Sequence, residues 1–236
     1  IHVGGRVDPE SDKQIINTEL IFADLATVEQ RLHDVHPKAR SGDKEAIAQL
    51  ATLEKVQKIL DEGTVLSQAG LTDDDRVVLR DLHLLTLKPM MYVLNVGENE
   101  VTKTAPGHLV ISAKLESELV GMSEAEAREY LNSVGMKETG LDRLIRAAYD
   151  LLGLITFFTA GPTETRAWTI PRGATAPQAG NAIHTDFEEK FIRAEVTPWQ
   201  DIVACGGEVK AKELGKVRTE GKEYVVQDGH TIYNRI

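Results

Sequence analysis

One eleven-residue stretch constrains the fold more than any other: Lys88-Pro-Met-Met-Tyr-Val-Leu-Asn-Val-Gly-Glu98. Its apolar run, Met90 to Leu94, is nearly continuous, bounded by Pro89 before it and by Asn95 and Gly97 after it. Such a run predicts a fully buried parallel strand, covered on both faces. In open α/β sheets ligands bind outside the carboxyl ends of the strands, so Asn95 and Glu98 stand where chemistry is expected. A second short strand, Leu109-Val110-Ile111, ends in Ser112-Ala113-Lys114. Only ten residues, 99 to 108, lie between Glu98 and Leu109. A parallel crossover takes about a dozen or more, usually with a helix. Either the strands are not parallel or residues are missing near Asn99 to His108, and the second is the expectation.

Upstream, Asp8-Pro9-Glu10 is a helix start, with an N-cap aspartate and proline at the first helical position. Ile21, Leu25, Val28, Leu32 and Val35 follow at alternating spacings of four and three, an a/d stripe. His36-Pro37 is expected to stop this helix. A second helix carries Ile47, Leu50, Leu53, Val56 and Leu60 on one side and ends at Gly63. The two should form an antiparallel hairpin, either a projecting arm for a partner or a plain structural pair. Thr72-Asp-Asp-Asp75 begins a third helix, expected to reach about Leu85. His33 and His36 read as solvated helix-end residues.

Beyond Lys114, Ser123-Glu-Ala-Glu126 opens a helix that Gly135 closes. Thr139 to Leu152 is amphipathic through Leu144, Ile145, Ala148 and Leu152. The texture changes at Gly153. Residues 154–159, 165–170, 191–196 and 224–226 are strand-like, punctuated by Gly and Pro, with one helix over about 179–190. A small mixed sheet gripping one helix is a β-grasp arrangement.

The 236 residues carry a formal net charge of −10, so no overall basic field draws the chain to nucleic acid. From Asp150 onward acids exceed bases by only two, so the acid is concentrated earlier. The single cysteine, Cys205, fits a reducing cytoplasm and reads as a buried thiol. No run approaches the roughly 18 apolar residues of a membrane span. The chain opens on Ile1, without Met, and reads as truncated.

Longer stretches carry a resemblance. Asn95-Val-Gly-Glu98, Ile111-Ser-Ala-Lys-Leu-Glu116, Phe158-Thr-Ala-Gly-Pro162, Arg166-Ala-Trp-Thr-Ile-Pro-Arg-Gly-Ala-Thr-Ala-Pro-Gln-Ala179, Ile183-His-Thr-Asp-Phe-Glu188 and Gly215-Lys-Val-Arg-Thr-Glu-Gly-Lys-Glu-Tyr224 together resemble the Obg-like ATPase (YchF) family over nearly the whole chain. The resemblance implies an α/β chain: the remainder of a P-loop NTPase (G-domain-like) parallel sheet with an inserted helical hairpin, then a β-grasp TGS domain. The expected division is 1–10 with 86–153 for the nucleotide-binding part, 11–85 for the helical insertion, and 154–236 for TGS. It further implies ATP and Mg²⁺ as cofactors, a ribosomal, rRNA or protein partner met through the arm and TGS domain, a cytoplasmic monomer and no membrane. The base-binding residues would be Asn95, Val96, Glu98, Ser112, Ala113 and Lys114.

The base chemistry can be read directly. Most P-loop GTPases use Asn-Lys-x-Asp, whose aspartate accepts from guanine N1–H and the exocyclic amine. Adenine presents a lone pair at N1 and no 2-amino group. Here Val96 replaces the lysine, and Glu98 moves the carboxylate by one methylene. The Asn95 amide can pair bidentately with adenine N6 and N7, and a site built on hydrogen bonds discriminates strongly. In the second turn, backbone N–H groups with the Ser112 or Lys114 side chain would edge the base. No Gly-x-x-x-x-Gly-Lys-Ser/Thr occurs in the sequence. That loop cradles the phosphates, and the family keeps it upstream of the position matching Ile1. The chain thus holds half an active site, with no catalytic residue and no metal ligand.

In the C-terminal part Arg166, Trp168, Arg172, Lys190 and Arg193 mix cations with an aromatic. They read either as an RNA surface or as a core tryptophan among solvated arginines. Lys210, Lys212, Lys216, Arg218 and Lys222 alternate with glutamates as a solvated face. His184 and Asp186 read as a helix start, capped by Thr185 or Asp186, beside a structural histidine. The alternative to a switch ATPase is a non-enzymatic RNA or protein interaction module.

Overall fold

The structure, a computed structural model, describes residues 8–161 and 164–236. Residues 1–7, expected in the nucleotide-binding part, and Pro162 of the Phe158–Pro162 stretch lie outside the described residues. The chain divides into two compact units, Ile1–Ile111 and Ser112–Ile236, each with its own apolar core.

In the first unit α1 (Pro9–Arg40) starts under Asp8, whose carboxylate accepts from the Ser11 N–H. It packs antiparallel to α2 (Lys44–Asp61), capped by Asp43. Ile21, Val28, Leu32 and Val35 of α1 share a core with Leu53, Val56 and Leu60 of α2, so the expected hairpin is present. Two details differ. Pro37 does not stop α1: proline withdraws only its own N–H, and the helix closes four residues later where Ser41 N–H reaches the Pro37 and Lys38 carbonyls. Ile47 is half exposed, and Ala46 beside it is buried instead.

Helix α3 (Asp73–Leu79) has the expected capping box between Thr72 and Asp75. It ends short of Leu85, because the chain tightens into a 3₁₀ turn at Arg80–Leu82 and then turns at His83, φ 51°. That left-handed residue costs about 1–2 kcal/mol. Leu84 and Thr86, just after it, are buried. Asp24, 2% exposed on α1, accepts from Leu85 N–H, Thr86 N–H and Thr86 Oγ1, each at 2.7 Å. The segment leading to the next strand is thereby fastened to α1.

That strand, β1 (Tyr92–Asn95), pairs in parallel with β2 (His108–Ile111). The twelve-residue link between them, 96 to 107, holds a 3₁₀ turn at Glu98–Glu100 and no α-helix. A parallel crossover is therefore made at about the minimum length, and of the two alternatives for this short link it is the non-parallel one that is not found. Full burial was also expected and is not found: β1 alternates, with Val93 41% exposed, since its described sheet has only two strands.

The second unit begins with α4 (Ala113–Leu119), α5 (Glu124–Ser133) and α6 (Gly140–Leu151), each started by a hydroxyl cap: Ser112, Ser123 and Thr139. Glu116 of α4 reaches the start of α6, accepting from Gly140 N–H (2.6 Å) and Leu141 N–H (3.3 Å). The apolar stripe of α6 is largely solvent-facing at Ile145 and Leu152.

A five-stranded sheet follows: β3 (Leu154–Ala160), β4 (Thr165–Pro171), β5 (Arg193–Pro198), β6 (Arg218–Glu220) and β7 (His230–Arg235), in the order β4-β3-β7-β5-β6. Only β3 and β7 run parallel. The helix α7 (Ala176–Ile183) contributes Ala176 and Ala179 to a core with Ile155, Phe157, Ile170, Ala194, Val196 and Ile232. This is the expected mixed sheet gripping a helix. The helix expected over 179–190 is in fact two, α7 and α8 (Thr185–Glu189), because extended His184 separates them. The cap of α8 is the His184 ring itself, Nδ1 accepting from Asp186 N–H at 3.2 Å, and not Thr185 or Asp186. Residues 224–226 form no strand, only a bridge between Thr175 and Val225. The rest is two short helices, α9 (Trp199–Cys205) and α10 (Glu208–Glu213).

Candidate functional site

Strand register builds the site. Asn95 stands opposite Ile111, and Val96 N–H donates to the Ile111 carbonyl at 2.9 Å. The two strands therefore end together, and the chain leaves each of them at the same edge. Asn95 is exposed there, and Val96 and Glu98 are half-buried. Gly97, extended, leads into the 3₁₀ turn that carries Glu98, closed by Glu100 N–H on the Gly97 carbonyl at 2.9 Å. Ser112 directly follows Ile111. It is fully buried, and its hydroxyl accepts from Leu115 N–H at 3.4 Å as the cap of α4. Its side chain thus shapes the turn, while Ala113 and Lys114 are exposed. Lys114 also approaches Glu118 at 3.7 Å.

The root of α1 holds β1 from below. Tyr92 Oη donates to Asn17 Oδ1 at 3.0 Å, the Lys13 ammonium lies 4.4 Å from the Tyr92 ring centre, and His108 Nε2 lies 3.6 Å from the Glu10 carboxylate. None of these contacts was visible in the sequence pattern, because each joins residues more than seventy positions apart.

In the second unit the Arg166 guanidinium lies 4.4 Å from the Trp168 ring centre, and the indole N–H donates to Thr159 Oγ1 at 2.9 Å. Trp168 packs on the core while Arg166 is exposed, which is the arrangement of a core tryptophan beside a solvated arginine. Arg172 pairs with Asp150 and Lys190 with Asp186. Lys212, Lys216 and Arg218 pair with Glu195, Asp201 and Glu220, as a solvated mixed face should. Among the described residues no cluster of three or more His, Cys, Asp or Glu can hold a metal ion, and no helix is long and apolar enough to cross a membrane.

A parallel strand pair ending in Asn-x-x-Glu and Ser-Ala-Lys, a helical hairpin rooted in it, and a β-grasp domain define the class: the remainder of a P-loop NTPase sheet with its C-terminal domain. Comparison with known proteins agrees. Residues 154–236 match the family YchF-GTPase_C, described as a protein of unknown function (DUF933). The ribosome-binding ATPase YchF of Escherichia coli O157:H7 is 46% identical over 245 positions, covering 98% of this chain and 68% of that protein. Its namesake from Bacillus subtilis is 44% identical over 250, covering 99% and 68%. A solved structure of the Schizosaccharomyces pombe YchF GTPase superposes with a TM-score of 0.84 at 31% identity, covering all of this chain and 68% of that one. The chain belongs to the YchF family. The alignment with the Bacillus subtilis relative is longer than the 236 residues of this chain, so that relative carries residues this chain lacks.

Proposed function

We propose that this chain is the base-recognising and partner-binding portion of an ATP-hydrolysing switch that associates with ribosomes in the cytoplasm. The observation that carries the reading is the parallel register of Asn95 with Ile111, which brings the two strand ends to one edge. Asn95, Val96 and Glu98 would border the adenine from the β1 side. Ser112, Ala113 and Lys114 would border it from the turn after β2, with Ser112 fixing the turn through its cap rather than touching the base. The exposed Asn95 amide and the donors of a helix start are the chemistry a purine edge requires. ATP supplies the phosphates and its Mg²⁺; neither the metal nor the phosphoryl-transfer step is assigned to any residue of this chain. The parts we infer are a nucleotide-binding portion at 1–10 and 86–153, an arm at 11–85 and a TGS domain at 154–236, acting as a monomer. The family names bear on both purines, since the bacterial relatives are called ATPases and the fission-yeast protein a GTPase. Glu98 in place of aspartate and Val96 in place of lysine favour adenine. Calorimetric titration of ATP and GTP against the protein and its Val96→Lys, Glu98→Asp double variant tests this. The ratio of affinities should move toward GTP by tenfold or more; an unmoved ratio refutes this account of base choice.

A further inference from the structure

The C-terminal unit holds a cavity of about 350 Å³ between the end of its sheet and the α7–α8 junction, lined among others by Thr159, Arg166, Trp168, Ile183, Phe187 and Asn234. This is at the small end of the roughly 300–1,000 Å³ range of ligand pockets, room for one nucleoside.

Asn234 is the unexplained residue in it. It sits on central strand β7, two positions from core residue Ile232, and is 9% exposed. Both its amide atoms are shut off from water, and neither has a hydrogen-bond partner. A buried amide left this way costs about 1–3 kcal/mol for each unmet group, and a valine would fill the position without that penalty. Nδ2 lies against Gly180 of α7, where even a Cβ would come within 3.2 Å. Asparagine χ2 is broad, so turning the amide toward the cavity takes little. Across the cavity the Arg166 guanidinium lies over the Trp168 indole, and Trp168 is held in place by its bond to Thr159. A guanidinium backed by an indole is a stacking plane for an unpaired base and a cation for its phosphate.

We propose that this cavity binds one unstacked adenine, with Arg166 as the stacking plane and Asn234 as the group that reads the base edge. The amide offers one acceptor and one donor, which match adenine N6–H and N7. Guanine presents two acceptors on the same edge and leaves the amide oxygen unmet. An extended peptide would meet the amide as well, but it has no planar face for the guanidinium–indole stack. The inference does not depend on the nucleotide reading of β1 and β2.

The test is nuclear magnetic resonance on the full chain, following the side-chain amide of Asn234 and the indole N–H of Trp168. The probes are adenosine monophosphate, guanosine monophosphate, a single-stranded oligoadenylate hexamer and a threonine-rich hexapeptide. Both signals should shift with the adenine probes at least tenfold more tightly than with guanosine monophosphate. Shifts with both adenine probes identify a mononucleotide as a sufficient ligand, and shifts with the hexamer alone identify an RNA strand. Asn234→Val should abolish the response while the melting temperature holds or rises. Arg166→Ala, an exposed change, should weaken binding tenfold or more. Silence of both signals, response to the peptide alone, or unaltered binding by Arg166→Ala overturns the proposal. The Asn95 amide reports separately on the β1 edge, so failure at one site is distinguishable from failure at the other.

Discussion

Replacing Asp24 should be the most damaging single polar change in the helical unit. Its carboxylate, 2% exposed, accepts from two backbone N–H groups and one hydroxyl, all at 2.7 Å. Two effects compete. Removing a buried charge relieves its desolvation, and where both partners of a pair can be exchanged for apolar groups the result is often neutral. Here the partners include backbone, which no substitution removes. Thr86 is fully buried, so its N–H would find no water, whereas Leu85 is 39% exposed and its N–H can be rehydrated. The Thr86 hydroxyl accepts from the Leu66 N–H at 3.4 Å, but that bond uses its lone pair, so its own O–H, which donates to Asp24, is left unmet as well. Two orphaned donors, the Thr86 N–H and O–H, and the loss of charge-assisted bonds therefore dominate. Asp24→Asn, which keeps one oxygen and turns an amide toward a donor, should cost about 2 kcal/mol, and Asp24→Ala about 4 kcal/mol. Urea unfolding followed by helical circular dichroism measures the loss. Hydrogen exchange at the Thr86 amide localises it, since protection there should fall by the same free energy. If Asp24→Ala unfolds within about 0.5 kcal/mol of the parent and Thr86 protection is unchanged, the clamp is not what fastens this segment.

Other outcomes follow from the same geometry. The Lys55 ammonium, then the Thr72 backbone and hydroxyl, hold the Asp75 carboxyl down to about 2 against an ordinary 3.8. Its contribution is complete above pH 3.8 and is lost as pH falls toward 2; in acid titrations of stability, Asp75→Asn should flatten that limb. Burial pushes the His230 imidazole below its ordinary 6.5, with Arg218 acting in the same direction. The unfolded chain then takes up the proton first, so stability of the C-terminal unit should decline as pH falls below 6.5, and His230→Gln should remove the decline in thermal melts. Gly180→Val should destabilise this unit by about 1–3 kcal/mol, because a Cβ already meets Phe187 Cβ at 3.0 Å and the Phe187 carbonyl at 3.2 Å; a melting temperature equal to the parent's would show that α7 shifts freely.

Local signals were the legible part of the chain. Caps at Asp8, Thr72 and Ser123 stood in the sequence and stand in the structure, since each involves residues only three apart. The a/d stripe of α1 named its buried face for the same reason. What failed depended on neighbours distant in sequence. Strand β7 sits at the centre of its sheet, yet His230-Thr-Ile-Tyr-Asn-Arg235 is mostly polar and gave no strand signal. Its burial comes from β3 on one side and β5 on the other. Residues 224–226 have the opposite history: aromatic and β-branched, they lack a strand partner long enough to extend them beyond a single bridge. At the candidate site the residue types were readable but their roles were not. Ser112 looked like a base contact until its hydroxyl was found capping α4, and Asn234 gave no signal beyond its inward parity with Ile232.

The fastening of α1 decides how the arm can respond to anything bound at the end of β1. Glu10 lies against His108, Lys13 and Asn17 both hold Tyr92, and Asp24 holds the Leu85–Thr86 segment. These points run along about 21 Å of one helix, so the root of the arm has no place to hinge between them. A displacement of β1 must therefore carry α1 with it as a lever, and flexibility belongs further out, beyond Asp24. Tyr92→Phe removes one tie, the bond to Asn17 at 3.0 Å, while keeping the ring under Lys13. It should cost about 1 kcal/mol and raise exchange at the amides of β1 more than at those in the outer turns of α1. Equal increases along the whole helix would mean that the arm and the strand open as one cooperative unit, and the lever would then have its pivot elsewhere.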